Sequence, residues 1–211
     1  QLNDCWPGLS WSSIDYFKQK KATHYIAQED FATFLIQSEI KDNRLFTTIV
    51  SDSLNDLTAK LDVYTLSFTG DTLKRISKDI NIPANQVTNF DLSKFHIRQI
   101  EPHQSFIYSR ISTNNRTIAE HIDFFGKPKN IQLPEAALVI KEIGENQFEV
   151  SSSPSVFHYK VALSASEFGN FEPNFFHLLP GESMIVDFAP NEKNKIISKS
   201  DMEVISLNGI K

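Results

Sequence analysis

Apolar and polar residues alternate along most of this chain from Phe34 onward, and this period of two constrains the fold more than any other feature. Such alternation is the pattern of a β-strand with one buried and one solvated face. The clearest example is "LTAKLDVYTLSFTG", and turn residues such as Asp42-Asn43 and Gly70-Asp71 separate the stretches. We therefore predict strands in that stretch, in "DTLKRISKDINIP", and near residues 34–41, 45–51, 86–92, 104–113 and 117–125.

A linker candidate, "GKPKNIQLPEA" at residues 126–136, divides the β pattern into two sets. Gly126, Pro128 and Pro134 interrupt any continuous strand ladder there. Strand-like stretches restart beyond it, in "ALVIKEI", "QFEVSSS", "SVFHYKVAL", "SMIVDFAP" and "MEVISL". Short strands separated by turns at such intervals are typical of immunoglobulin-like sandwiches. We predict a mainly β fold with two sandwiches, at residues 32–128 and 133–211. Because the chain has 17 Phe but only two Met and two Trp, we also expect Phe to supply much of the core.

Residues 15–31 follow a different period. Their apolar side chains recur at the spacing of one helix face, with lysines on the other. This predicts a helix that begins near Asp15 or, after a turn, near Lys21. The apolar positions are Phe17, Ala22, Tyr25, Ile26 and Phe31.

Charge and cysteine content exclude several classes of function. A net charge of −5 and a pI near 5.7 oppose binding to nucleic acid or to an anionic membrane. No apolar run approaches the ~18 residues of a membrane-spanning helix. The single Cys5 excludes an internal disulfide framework and a cysteine-based zinc site. The six histidines are His24, His96, His103, His121, His158 and His177. They lack metal-ligand spacing, so we predict neither a metal nor a cofactor.

No catalytic motif marks this chain. Nucleophile-elbow, P-loop and dinucleotide-binding patterns are absent from the sequence. A glycosidase needs two carboxyl groups held ~5 to 10 Å apart across a sugar. Acidic residues such as Glu39, Asp62, Glu142 and Glu149 instead alternate with apolar ones, which places them on solvated strand faces. We therefore predict no catalytic residue in this chain.

The densest aromatic stretch is "EFGNFEPNFFHLLPGESMIVDF" at residues 167–188. Its rings are candidates for stacking on sugars. The alternative, which we favour, is a long loop between strands whose rings plug the end of the second sandwich. Pro180-Gly181 would then turn the chain into the last hairpin.

The first residues of the chain carry a family resemblance. "QLNDCWPGLSWSSIDYFKQKKATHY" is similar to the eighth strand, loop and final helix of the catalytic barrel in β-mannosidases of glycoside hydrolase family 2. Lys18-Gln19 departs from that pattern, which usually has Gly-Arg there. More loosely, two immunoglobulin-like sandwiches follow the barrel in these enzymes, and "NFFHLLPGE" resembles part of the last one. The matching positions are Gln1, Leu2, Asn3, Asp4, Trp6, Pro7, Ser10, Trp11, Ser12, Ser13, Ile14, Asp15 and Tyr16.

The resemblance implies a function for the parent protein and a place for this chain in it. The parent would be a retaining exo-β-mannosidase that acts on mannose-containing oligosaccharides. Its two catalytic Glu residues would lie upstream of Gln1, so this chain is expected to be inactive alone. Residues 1–31 would be the end of the barrel, and the upstream barrel would be their partner. Asn3, Asp4 and Trp6 would lie at the barrel mouth and contribute to the sugar site.

Two alternatives remain open. The sandwiches would serve as a carbohydrate-binding or surface-adhesion module if one sheet face exposes coplanar aromatic rings. The parent would otherwise be another family 2 enzyme, a β-galactosidase or β-glucuronidase. For a chain that begins inside the barrel, we expect the helix to pack on the first sandwich. We also expect residues 4–13 to be extended, mobile or packed on a neighbouring molecule, and the exposed apolar side chains to cause self-association.

Overall fold

The computed structural model describes residues 2–42, 44–92 and 101–209, and the chain divides into two compact units. Residues Ala32–Gln132 form the first domain. Residues Leu133–Lys211 form the second domain, and Gln1–Phe31, called here the N-terminal segment, belongs to the same unit. Gln1, Asn43 and His96 lie outside the described residues.

The first domain is built from two antiparallel sheets, which together have the architecture of an immunoglobulin-like sandwich. The sheet orders are β1-β2-β5 and β4-β3-β6-β7. The strands predicted for this domain are confirmed close to their predicted ends. They are β1 (Phe34–Lys41), β2 (Arg44–Ser51), β3 (Leu57–Ser67), β4 (Thr72–Ile82), β5 (Gln86–Asp91), β6 (Ser105–Thr113) and β7 (Arg116–Phe124).

The main buried cluster of the first domain is aliphatic. Leu45 and Ile49 of β2 and Leu61 and Val63 of β3 are fully buried, as the alternation predicts. Phe residues border this cluster, while Phe106 is fully buried and Phe68 is 3% exposed outside it, so Phe supplies part of the core of this domain. Branched aliphatic side chains stand perpendicular to the pleated sheets and fill the space between them.

The second domain repeats the architecture with a different core. Its sheet orders are β12-β10-β14 and β11-β13-β9-β8. Here Phe does supply much of the core, through Phe148, Phe171, Phe176 and Phe188. The strands are β8 (Ala137–Gly144), β9 (Gln147–Ser153), β10 (His158–Ala165), β11 (Gly169–Glu172), β12 (Phe176–Leu178), β13 (Ser183–Pro190) and β14 (Met202–Ile205).

The stretch expected to be a long loop contains two of these strands. β11 and β12 flank Pro173, and each places one Phe, Phe171 or Phe176, in the core. Strands of three and four residues are too short to show a period of their own in the sequence. The favoured interpretation was therefore right about ring burial at these two positions and wrong about the loop.

The N-terminal segment contains one helix, α1 (Ala22–Asp30), which begins after a turn, the later of the two predicted starts. Tyr25 is its one buried residue, whereas Ile26 and Phe31 are 40% and 88% exposed. An isolated helix of nine residues is marginal in water, so packing must hold it. Among the residues described, no helix has the length and apolar character needed to cross a membrane.

Candidate functional site

Two of the predicted barrel-mouth residues, Asp4 and Trp6, lie in a closed loop, residues 4–13, called here the Trp loop, and Asn3 directly precedes it. The amide of Asp4 donates to the carbonyl oxygen of Ile14 at 3.0 Å, and the amide of Ile14 donates to that of Leu2 at 2.9 Å. The Ser13 hydroxyl adds a bond of 3.0 Å to the Leu2 carbonyl. The expectation of an extended segment is therefore wrong, because these backbone bonds close the loop at its base.

Asp4 lies inside the Trp loop. Its side chain is 5% exposed and accepts hydrogen bonds from the Ser10 hydroxyl and from the Lys21 ammonium, the latter at 3.1 Å. Hydrogen bonds from Ser10 and Ser12, opposed by burial and reinforced by Lys21, lower the pKa of Asp4 to about 2. The carboxylate is thus ionised and engaged within its own loop.

Asn3 and Trp6 lie at the surface instead. Trp6 is 78% exposed, and the loop also exposes Leu9 and Trp11, the latter to 88%. Asn3 is exposed and its backbone pairs with Ile14 as a parallel bridge. The structure therefore places Asp4 and Trp6 in one loop with Asn3 at its base, but it turns Asp4 inward and Trp6 outward.

Helix α1 packs on the second domain. The prediction that it packs on the first sandwich is wrong. The hydroxyl of Tyr25 donates to the carbonyl oxygen of Phe171 at 2.8 Å, and its ring lies 5.5 Å from that of Phe175. Burial, reinforced by the charge of Glu172, raises the pKa of Tyr25 to about 12. The neutral hydroxyl therefore acts as a donor throughout the physiological range.

The motif "PNFFHL" forms part of the surface on which α1 packs. The side-chain amide of Asn174 accepts from the Leu163 amide and donates to the Leu163 carbonyl, both at 2.9 Å, in place of a neighbouring strand. Phe175 follows with φ 57°, a left-handed conformation that is uncommon outside glycine. This backbone reversal turns the Phe175 ring towards Tyr25. Sequence reasoning missed Asn174, although an amide carries both the donor and the acceptor that the position needs.

The turn before α1 adds further contacts to the second domain. The rings of Phe17 and Phe168 stack at 4.7 Å, and the side chain of Asn191 donates to the Phe17 carbonyl at 2.6 Å. The Lys20 ammonium lies 2.8 Å from the Glu172 carboxylate. A cavity of about 270 Å³ remains between the helix and β11, lined partly by Lys20, Tyr25, Asn170, Asn174 and Phe175.

The described residues form no cluster of metal-ligating side chains. No group of three or more His, Cys, Asp or Glu among them is placed to hold a metal ion. Cys5 is a free, exposed thiol. The arrangement can therefore present apolar rings and hold a loop.

Comparisons with known proteins agree with this architecture. Residues 43–130 match the family model described as "Mannosidase Ig/CBM-like domain", and residues 131–210 match the model "Ig-fold domain". Beta-mannosidase A of Neosartorya fischeri is 23% identical over 213 residues, which cover 92% of this chain and 23% of that protein. Beta-mannosidase B of Aspergillus clavatus is 24% identical over 165 residues, covering 71% of this chain and 20% of that protein.

A solved structure covers nearly the whole chain. The beta-D-mannosidase of Dictyoglomus thermophilum superposes with a TM-score of 0.75 at 25% identity, over 99% of this chain and 26% of that one. These matches define a pair of immunoglobulin-like accessory domains of a glycoside hydrolase. The two domains of this chain match immunoglobulin-like models of mannosidases, and the chain is similar to the C-terminal region of β-mannosidases of glycoside hydrolase family 2. It spans about a fifth to a quarter of the length of the curated relatives it matches.

Proposed function

We propose that this chain is the C-terminal accessory part of a retaining exo-β-mannosidase that removes terminal non-reducing β-D-mannose from oligosaccharides. In this proposal, residues 1–31 are the last strand, loop and helix of a (β/α)8 barrel, followed by sandwiches at 32–128 and 133–211. The acid/base and nucleophilic Glu residues belong to upstream barrel strands, so the chain's own role is to hold and shape one edge of the site.

The exposed apolar face of the Trp loop is the observation that carries this proposal. Trp6, Leu9 and Trp11 are 78%, 108% and 88% exposed in a loop that is closed by backbone hydrogen bonds. Burying one such side chain contributes ~1.5 to 3 kcal/mol, so a fixed loop with three of them outward fits a surface made to be covered. The mouth of a (β/α)8 barrel, built from the loops that follow its strands, supplies such neighbours.

The three barrel-mouth residues receive different roles in this proposal. Trp6 offers an aromatic face to the sugar or to the neighbouring barrel loops. Asp4 acts from inside, because its carboxylate is already held by Ser10 and Lys21. Asn3, exposed at the base of the loop, contributes a polar amide at the same edge.

Hydrolysis of an aryl β-mannoside tests the catalytic half of the proposal. The purified chain should release no aryl alcohol above a buffer blank, because it would carry neither catalytic Glu. Turnover that disappears when an acidic residue of this chain is substituted would contradict the assignment.

Sedimentation velocity tests the exposed face. The wild-type chain should self-associate as its concentration rises, whereas a variant with Trp6→Ser, Leu9→Ser and Trp11→Ser should remain monomeric. Leu54→Ser is the matched control, because Leu54 is 89% exposed but lies in the first domain. A wild-type chain that stays monomeric at every concentration would count against a surface that requires a partner.

A carbohydrate-binding module is the second candidate, and the side chains do not favour it. Such a module would expose coplanar rings on a sheet face. In the described part of the chain, the exposed Phe, Tyr and Trp side chains all lie outside the strands: Trp6, Trp11, Tyr16, Phe17, Phe31 and Phe168. On β6, Tyr108 is only 9% exposed. The accessory role therefore has the stronger support.

A further inference from the structure

Two consecutive lysines join the Trp loop to the second domain. The side chain of Lys21 bonds to the loop, and Lys20 bonds to the second domain. Lys21 directs its ammonium into the loop, where it lies 3.1 Å from Asp4 Oδ2, 3.1 Å from Ser12 Oγ and 3.3 Å from the Ser10 carbonyl. Lys20 contacts the second domain, through its amide to Asn170 Oδ1 at 2.7 Å and its ammonium to Glu172 at 2.8 Å. The peptide bond between them connects the two sets of contacts.

We propose that Lys21 is a positioning residue for the Trp loop and that the second domain sets its place through Lys20. As far as the sugar is concerned, this inference rests on the function proposed above. The accessory domain then has a defined task, which is to hold a loop at the edge of the sugar site.

The geometry of Lys21 explains why it is able to fix the loop. An ammonium group has three donors, and the three acceptors around Lys21 come from three loop residues. Its amide also donates to the Ser13 carbonyl at 2.9 Å, which ties the end of the loop to the start of α1. Loss of this one side chain would leave the nearly buried Asp4 carboxylate without its counter-charge.

Helix α1 transmits the position of the second domain to Lys21. Lys21 is the N-cap residue that directly precedes the helix, and Tyr25 follows in the first turn of the helix. Tyr25 is anchored to the Phe171 carbonyl, and Asn170, the residue before Phe171, also binds the Lys18 carbonyl at 3.1 Å. A single strand, β11, therefore holds both the turn before the helix and the helix itself.

The chain carries its own probe for this loop. Its two Trp residues, Trp6 and Trp11, both lie in the Trp loop, so tryptophan fluorescence reports on that loop alone. Acrylamide quenching measures the accessibility of the two rings. Hydrogen exchange followed by mass spectrometry measures the opening of residues 4–13 beside that of β8–β14 in the same sample.

Lys21→Met is the first variant, because it keeps an unbranched apolar stem and removes the three donors. Exchange in residues 4–13 should become at least about tenfold faster and quenching should increase, with β8–β14 unchanged. Lys41→Met is the matched control, since that ammonium bonds to Glu39 in the first domain at 2.7 Å. Loop exchange in Lys21→Met that equals the wild type would overturn the role of Lys21.

Chemical rescue separates positioning from a general loss of structure. In a Cys5→Ser background, Lys21→Cys should show fast loop exchange. Alkylation with bromoethylamine then restores an ammonium at nearly the original distance, and protection of residues 4–13 should return. Exchange that stays fast after complete alkylation would contradict the inference.

A second pair of substitutions tests the part played by the second domain. Asn170→Ala with Glu172→Gln removes the partners of Lys20 and should speed loop exchange about fivefold. An unchanged loop would show that the second domain does not set its position. None of these measurements requires a sugar. Mannoside turnover by the chain would therefore reject the proposed function, whereas the role of Lys21 is decided by the exchange measurements alone.

Discussion

The hydroxyl of Tyr25 in α1 donates a 2.8 Å hydrogen bond to the carbonyl oxygen of Phe171 in β11. These residues are 146 positions apart in the sequence, and the bond is buried. It joins the one buried side chain of the helix to the backbone of the second domain. The stability of α1 should therefore depend on β11 more than on the helix's own sequence, which has no side-chain cap at its N-terminus.

Substitution of Tyr25 should separate its hydrogen bond from its packing. Tyr25→Phe is expected to lower the free energy of unfolding by about 1 kcal/mol, because the Phe171 carbonyl loses its donor. Tyr25→Ala should cost about 3 to 5 kcal/mol, since it also removes the buried ring. Urea unfolding followed by circular dichroism measures both, with the exposed Thr23→Ala as the control. Equal losses for Phe and Ala would contradict the packing contribution.

The strands could be predicted from the sequence because a strand shows its period locally. β1, β3 and β9 have enough residues for alternation to be recognised, and their turns carry Gly, Asn or Asp. The surface on which α1 packs could not be predicted, because a contact between Tyr25 and Phe171, which are far apart in the chain, produces no local sequence pattern. The left-handed backbone of Phe175 is likewise set by the surrounding structure and not by the preference of the residue.

The candidate site was predictable only through the family resemblance. Three residues so close in sequence were certain to share a segment. Their opposite orientations follow from Ser10, Ser12 and Lys21, whose polar groups surround Asp4 once the loop closes. The sequence pattern does not show that closure, since two of the bonds at the base of the loop join backbone groups.

Asn174 should be sensitive to substitution although it binds no ligand in this proposal. Asn174→Ala would leave both backbone groups of the buried Leu163 without their partner, at a cost of about 2 to 4 kcal/mol. Chemical unfolding measures this loss. Asn89→Ala is the control, because the Asn89 side chain bonds to Thr48 at the surface and its loss should stay within about 0.5 kcal/mol. A similar small loss at Asn174 would show that the amide is not needed.

Asp62 should stabilise the first domain through its two arginines. Its side chain is 3% exposed and lies 3.0 Å from Arg75 and 3.5 Å from Arg110, so the solvated position predicted from the strand alternation is wrong for Asp62. Burial alone would raise the pKa of Asp62, but the bonds from Ser77 and Arg75 and both positive charges lower it. Asp62→Asn should therefore cost about 1 to 3 kcal/mol in urea unfolding at neutral pH. Asp79→Asn, exposed on β4, is the control, and equal costs at the two positions would contradict this role.

Because His158 is buried in its neutral form, the second domain should lose stability in mild acid. The imidazole is fully buried between the hydroxyls of Ser152, 2.9 Å from Nε2, and Ser206, 2.8 Å from Nδ1. Ser152 donates its proton to the Pro154 carbonyl, so it accepts from Nε2–H, and Nδ1 accepts from Ser206. Burial lowers the pKa of His158, because the site holds the neutral ring and offers no counter-charge.

The sign of the pH effect follows from proton binding in the two states. Below about pH 6.5 the unfolded chain protonates this histidine while the folded one resists, so the free energy of unfolding should fall as pH falls, by at most about 1.4 kcal/mol per unit. Urea unfolding between pH 7.5 and 5 measures the slope. His158→Gln, which cannot take up a proton, should flatten it, and the exposed His103→Gln controls for the substitution itself. A slope in His158→Gln equal to that of the wild type would show that other groups govern the acid sensitivity.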